Sequence, residues 1–186
     1  RFVADDNPKA QALLEEAAAL APKAAKLPKD FVAALYSSAA PEDLFPYAAG
    51  EIAALAARSF AHLASRAPGA ADVQIYNPEA LAGNKGLAAV TVIEIENDDM
   101  PFLLDSIAAE LVEQGLSVRL AVHPIFALER DGKGKLKVWH GLAGGTKKGT
   151  RESFIHIHVD RIAESRHAAI AESLHGVLGE VRLSVD

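Results

Sequence analysis

The sequence predicts an α+β fold in which two helices cover one face of an antiparallel sheet, preceded by a separate helical segment. Three observations predict it. The stretch from Thr91 to Arg130 reads as strand, acidic turn, helix, glycine stop and strand. A hairpin signal, Asp131-Gly132-Lys133-Gly134, follows directly. From Ser153 onward the strand-then-helix order repeats. The boundary falls after Gly69, giving a helical segment over 1–69 and a sheet domain over 70–186.

The helical segment opens with an alanine-rich amphipathic stretch, Asn7 to Lys26, with Ala10, Leu13, Leu14, Ala17 and Leu20 as its apolar stripe. Asn7 suits the N-cap and Pro8 the first helical position, and Pro22 ends or kinks the helix. A short helix follows from Pro28. A longer one runs to about Arg66, with Ile52, Leu55, Ala56, Ser59 and Leu63 aligned. Alanine favours helix but buries little area, so these helices need the sheet domain or another subunit to lean on.

Asp72 to Asn77 reads as an extra strand, closed by Asn77-Pro78. Thr91 to Glu96 alternates as a strand. Asn97, Asp98 and Asp99 then serve as turn and helix-cap residues, with Pro101 in the first helical turn. Leu103, Leu104, Ile107, Leu111 and Val112 keep helical spacing up to the stop at Gly115. The next strand sets Val118, Leu120, Val122, Phe126 and Leu128 against Arg119, Ala121, His123 and Glu129. Leu136 to His140 pairs back, Gly141 to Arg151 makes a glycine-rich surface loop, and Ser153 to Asp160 resumes the sheet. A helix from Arg161 to Leu178 stops at Gly179, and Glu180 to Val185 makes a last strand. That order, β-α-β-β-α-β, is the ferredoxin-like arrangement.

The 186-residue chain carries a net charge of −6 and no cysteine. The acidity and the lack of a basic stripe argue against a nucleic-acid surface. The missing thiols suit the cytoplasm, and no stretch reads as a membrane span or signal peptide. Starting at Arg1 and ending at Asp186, the sequence reads as a piece of a longer protein.

The string DDMPFLLDSIAAELVEQGLSV resembles the first strand-turn-helix of ACT domains. ENDDMPFLLDS, then HPIF, then ESFIHIHVDR, with APEDL and RAPG…YNP upstream, resembles the N-terminal ACT-like region of the large bacterial NAD-specific glutamate dehydrogenases. The resemblance implies a regulatory or oligomerisation segment of a homo-oligomeric parent. That parent would use NAD to convert L-glutamate to 2-oxoglutarate and ammonia, and this segment would bear neither catalytic residues nor a cofactor. It also raises an amino-acid effector at the turn Asn97, Asp98, Asp99, Met100, Pro101, Phe102, Leu103 and Leu104. Phe102 stands where many effector-binding ACT domains have glycine.

Two further readings come from the residues. Alternation sets His156 and His158 on the uncovered sheet face, near Glu94 and Glu96, with His123 close by. Histidines two apart opposite carboxylates can hold zinc, which would allow a small metal-dependent enzyme. The same residues also suit cross-strand ion pairs, and no metal is assigned. Parity puts Val92, Ile125 and Phe154 on that face with Glu94, Arg119 and His156. An apolar patch rimmed by charge predicts an interaction face. Its expected partner is a second copy or another domain of the parent, ahead of the chain's own alanine-rich helices.

Overall fold

The computed structural model describes residues 3–185. Helix α1 (Pro8–Leu20) starts as its sequence dictates, with Asn7 Oδ1 accepting from the Ala10 N–H at 2.9 Å. Helices α2 (Phe31–Tyr36), α3 (Pro41–Leu44) and α4 (Ala49–Leu63) complete the N-terminal layer. Six strands follow, β1 (Asp72–Tyr76), β2 (Val90–Asp98), β3 (Val118–Val122), β4 (Ile125–Arg130), β5 (Leu136–Leu142) and β6 (Thr150–Asp160). Helix α5 (Leu103–Glu113) lies between β2 and β3, and α6 (His167–Val185) closes the described chain.

The strands form one antiparallel sheet in the order β1-β2-β6-β4-β5, with β3 also paired to β6. The β2-α5-β3 unit therefore has β6 between its two parallel strands, a right-handed crossover's ordinary solution. This is the ACT-like, ferredoxin-like α+β fold with one substitution in its wiring. The expected last strand is absent: residues 180–185 continue α6 through Gly176 and Gly179. Ile170, Leu174, Leu178 and Val181 form one buried helical stripe, and Leu183 is 79% exposed, whereas a strand would set Val181 and Leu183 on one face. The edge position beside β2 is held by β1 instead.

The sheet is buried on both faces. On one, α5 and α6 cover Ile93, Ile95, Ile155, Ile157 and Val159. On the other, α1 to α4 cover Val90, Val92, Leu120, Val122, Phe126, Leu128 and Phe154. The face expected to be open is thus closed by the chain's own helices. Val92, Phe154 and His156 are fully buried beneath them. Large residues drawn from both sides make this layer sufficient. Phe31 meets Phe126 and Trp139 at ring distances of 5.8 and 5.4 Å, so alanine only spaces the helices.

Three further expectations change. The strand from Val118 to Arg130 is broken at His123-Pro124, where Pro124 supplies a carbonyl to the Phe154 N–H. Its apolar face points to the N-terminal layer, not to α5 and α6, because a sheet buried twice offers two apolar sides. Ile125 pairs with Ser153 and so lies opposite to Phe154, and Arg119 is a surface residue paired with Asp160. An irregularity between Val118 and Leu120 sets Val118 apart: it pairs with Val159, whereas Leu120 and Val122 pair with His158 and His156. Lastly, Gly141 to Arg151 is largely structured, with β5 running to Leu142 and β6 starting at Thr150.

Candidate functional site

Cross-strand pairing decides where the polar residues go. On β2 and β6, Glu94 faces His156, Val92 faces His158 and Glu96 faces Phe154. All six side chains point into the N-terminal layer, where Tyr36, Tyr47, Ser59 and His62 meet them. The result is a continuous buried network. Glu94 Oε2 accepts from His156 Nδ1 at 2.6 Å and from Ser59 Oγ, and Glu94 Oε1 accepts from His62 Nδ1 at 3.1 Å. Burial opposes the Glu94 charge, but the histidine hydrogen bonds win and hold its carboxyl down at about 2. An ionised carboxylate only accepts, so both facing ring nitrogens carry hydrogen.

The network continues along β6. His156 Nε2 and His158 Nε2 are 2.8 Å apart, and His158 Nδ1 is 2.7 Å from the Tyr47 hydroxyl. Tyr36 also reaches His156 Nε2, at 3.3 Å. Burial, reinforced by the neighbouring His156, pushes the His158 imidazole well below its usual range, so it is neutral. Burial likewise pushes the Tyr47 hydroxyl up to about 12. The neutral arrangement is directional: Tyr47 donates to His158, His158 to His156, and His156 to Glu94.

On the β1 side, His62 Nε2 is 3.0 Å from Asp72 Oδ1 and 4.0 Å from Glu96 Oε2. Burial works against the His62 charge, but its hydrogen bond to Glu94 and the carboxylates of Glu96 and Asp72 raise its pKa. Glu96 is 0% exposed and neither of its oxygens has a hydrogen-bond partner. Burial pushes its carboxyl up to about 8, against the pull of His62 and Arg130. Arg130 is 3.7 Å away and is engaged with both oxygens of Glu152, at 2.8 and 3.0 Å.

The structure therefore brings together the metal candidates Glu94, His156 and His158, but as mutual hydrogen-bond partners. His123 stands apart, with Nε2 2.9 Å from Ser153 Oγ. Sequence reasoning missed Tyr36, Tyr47, His62 and Asp72 as members of this network. One signal was present: His62 lies three residues after Ser59, on the face that carries the apolar stripe of α4.

The acidic turn is built differently from a helix cap. The residue before α5 is Phe102, in the left-handed region at φ 70°, and no side chain caps the helix. Pro101 lies outside the helix. Asp98 pairs with Arg66 at 2.7 Å and Arg182 at 3.1 Å, which outweigh its burial and lower its carboxyl. Asp99 pairs with Arg151 at 3.2 Å, and buried Asn97 lies 3.4 Å from Arg182. Arginines thus occupy the acidic groups that an effector ammonium would need. Met100 and Leu104 pack against the α5 and α6 core, Leu103 is buried in it, and Phe102 is 66% exposed.

Comparison with known proteins fits this architecture. The family described as glutamate dehydrogenase, ACT1 domain, matches residues 31–174. The chain belongs to that family. Its ACT1 match includes α2 to α4 as well as the sheet, in keeping with the core they share. Among curated relatives, the NAD-specific glutamate dehydrogenase of Pseudomonas aeruginosa is 30% identical over 115 residues, 61% of this chain. The NAD-specific glutamate dehydrogenase of Halomonas elongata is 34% identical over 121 residues, 63% of this chain. In each case the ACT1 chain corresponds to only 7% of the relative's length. No solved structure matches it significantly. Among the described residues no helix is long and apolar enough to cross a membrane.

Proposed function

We propose that this chain is a regulatory or assembly segment of a large NAD-dependent glutamate dehydrogenase and carries no hydride transfer itself. The parent would convert L-glutamate and NAD to 2-oxoglutarate, ammonia and NADH in the cytoplasm, as a homo-oligomer. The observation that carries this reading is the family match over residues 31–174. The burial of the network supports the non-catalytic part: Glu94, His156 and His158 are sealed between sheet and helices, with their polar atoms committed to one another. The contacts to the rest of the parent would come from the outer surface. Among the described residues, Phe102 and Val112, at the start and along the outside of α5, are the most exposed large apolar groups together with Leu183.

The test uses the complete enzyme encoded by the parent reading frame. Phe102→Asp and Val112→Asp should leave turnover chemistry intact while changing sedimentation or the response to effectors. Glutamate-dependent NADH formation by the isolated chain, absent from a mock preparation, would overturn the reading. So would full assembly and regulation after deletion of residues 1–186.

A second reading, an amino-acid effector at residues 97–104, has one observation behind it. The α5 start lacks a side-chain cap, so its first N–H groups are free to meet a carboxylate. Calorimetry against free amino acids, with Phe102→Gly as a variant, tests it. Absence of heat for both proteins removes it.

A further inference from the structure

We propose that His62, Asp72 and Glu96 form a binding site for one divalent transition cation of the zinc class, at the seam between α4 and the β1-β2 edge. This inference does not depend on the glutamate dehydrogenase assignment.

The donor set is built on rigid elements. Asp72 and Glu96 are direct cross-strand partners on β1 and β2, so both carboxylates leave the sheet on one face. His62 comes down on them from the last turn of α4. Their nearest donor atoms all lie within 4.8 Å of one another, with His62 Nε2 3.0 Å from Asp72 and 4.0 Å from Glu96. Two ligand atoms about 2.0–2.1 Å from a tetrahedral ion stand roughly 3.3 Å apart. The observed separations straddle that value, and rotation of the Glu96 carboxyl closes the difference.

A second, independent observation points to a cation. Glu96 is a wholly buried carboxyl with neither oxygen hydrogen-bonded. Such groups are rare, because an unpaired buried acid loses its hydration without replacement. The nearest fixed positive charge, Arg130, is already committed to Glu152. A cation bound by His62 and Asp72 would supply the missing partner.

The surroundings of His62 are those of a metal ligand. Glu94 accepts the Nδ1–H, which fixes the ring and turns Nε2 towards the two carboxylates. A carboxylate behind a ligating histidine is the usual orienting group in zinc sites. On binding, the Nε2 proton that otherwise goes to Asp72 passes to solvent. The Asp72 side chain is 34% exposed, which gives an entry path and a position for a water as fourth ligand. One imidazole with two carboxylates favours zinc, manganese or iron(II) over magnesium or calcium. The charges balance when two carboxylates meet a dication, and Glu94 accepts hydrogen bonds from His156 and Ser59 apart from the ion.

The experiment uses the 186-residue chain after dialysis against chelator. Zinc chloride and cobalt(II) chloride are titrated by calorimetry and by the visible absorption of cobalt, with magnesium chloride as comparison. One zinc per chain is expected, together with a rise in Tm and the cobalt spectrum of a low-coordinate site. Glu96→Gln and Asp72→Asn preserve shape, and each should weaken zinc binding by about tenfold or more. His140→Ala, at a surface pair with Glu129, should leave it unchanged. Circular dichroism confirms that each variant is folded. Three results would overturn the site: no zinc binding by the folded chain, affinity unaffected in both Glu96→Gln and Asp72→Asn, or loss of binding in His140→Ala.

Discussion

Glu94 and His156 face each other across β2 and β6, with Nδ1 2.6 Å from Oε2, and both are fully buried. That pair is the centre from which the N-terminal layer is tied to the sheet, since Ser59 and His62 of α4 bind the same carboxylate. Glu94→Gln keeps the volume but presents an amide N–H₂ to groups that are themselves donors. Leaving buried donors without their acceptor costs about 1–3 kcal/mol. Urea unfolding should show a loss in that range. Glu129→Gln, at the half-exposed pair with His140, should stay within about 1 kcal/mol. Equal effects would mean that the buried network contributes no more than a surface pair.

His158 gives a pH signature. Folded, its imidazole is held neutral by burial among Tyr47, His156 and Glu94. Unfolded, it takes a proton below about pH 6.5. The unfolded state then binds more protons, so this residue removes stability as pH falls below about 6.5, by up to roughly 1.4 kcal/mol per pH unit. Glu96 acts with the opposite sign over part of the same range, since its raised carboxyl is protonated in the fold and ionised when unfolded. The wild-type curve alone therefore does not isolate either group. The difference does: the stability gap between wild type and His158→Gln should shrink from pH 7 to pH 5.5. A constant gap would show that His158 takes up its proton alike in the folded and unfolded chain, and a widening gap that it is protonated in the fold.

Phe154 separates an internal interface from an external one. It is fully buried against Phe126 and His62, at ring distances of 5.9 and 5.8 Å. Phe154→Ala should lose about 3–5 kcal/mol, as for other buried aromatic deletions. Sedimentation of the folded variant should match wild type at every concentration. A change in association state without loss of stability would mean that Phe154 serves a partner chain.

The sequence disclosed those features whose cause is local. Asn7 caps α1, Asp131 accepts from the N–H groups of Lys133 and Lys135 in the hairpin turn, and Gly115 ends α5 at φ 75°. The family likeness sits in just such local strings. What stayed hidden depends on distant partners. His156 and His158 look like surface residues until Tyr36, Tyr47 and His62 arrive from the N-terminal layer. The face of β3 and β4 went to the wrong layer because both sides of the sheet are covered and apolar. The cap reading of Asp98 failed because Arg66 and Arg182, far along the chain, hold it in place of the α5 N–H groups.

Helix α6 offers the sharpest local test, because two glycines that look alike in sequence have opposite roles. Gly115 stands in the left-handed region, where the Leu116 N–H returns to the Leu111 carbonyl and closes α5. Gly179 has no such conformation, lies inside α6, and an added Cβ would meet nothing within 4 Å. Alanine is better than glycine in a helix interior by about 0.5–1 kcal/mol. Gly179→Ala should therefore stabilise the chain by about that amount, and Gly115→Ala should destabilise it by about 1 kcal/mol through the strained backbone. The flanking residues extend the test. Val181→Gln puts a polar group under the sheet and should cost about 1–3 kcal/mol, while Leu183→Gln on the outside stays within about 0.5 kcal/mol. If residues 180–185 were an edge strand after a glycine stop, Gly179→Ala would destabilise and Leu183→Gln would cost as much as Val181→Gln. Thermal unfolding of the four variants distinguishes the two arrangements.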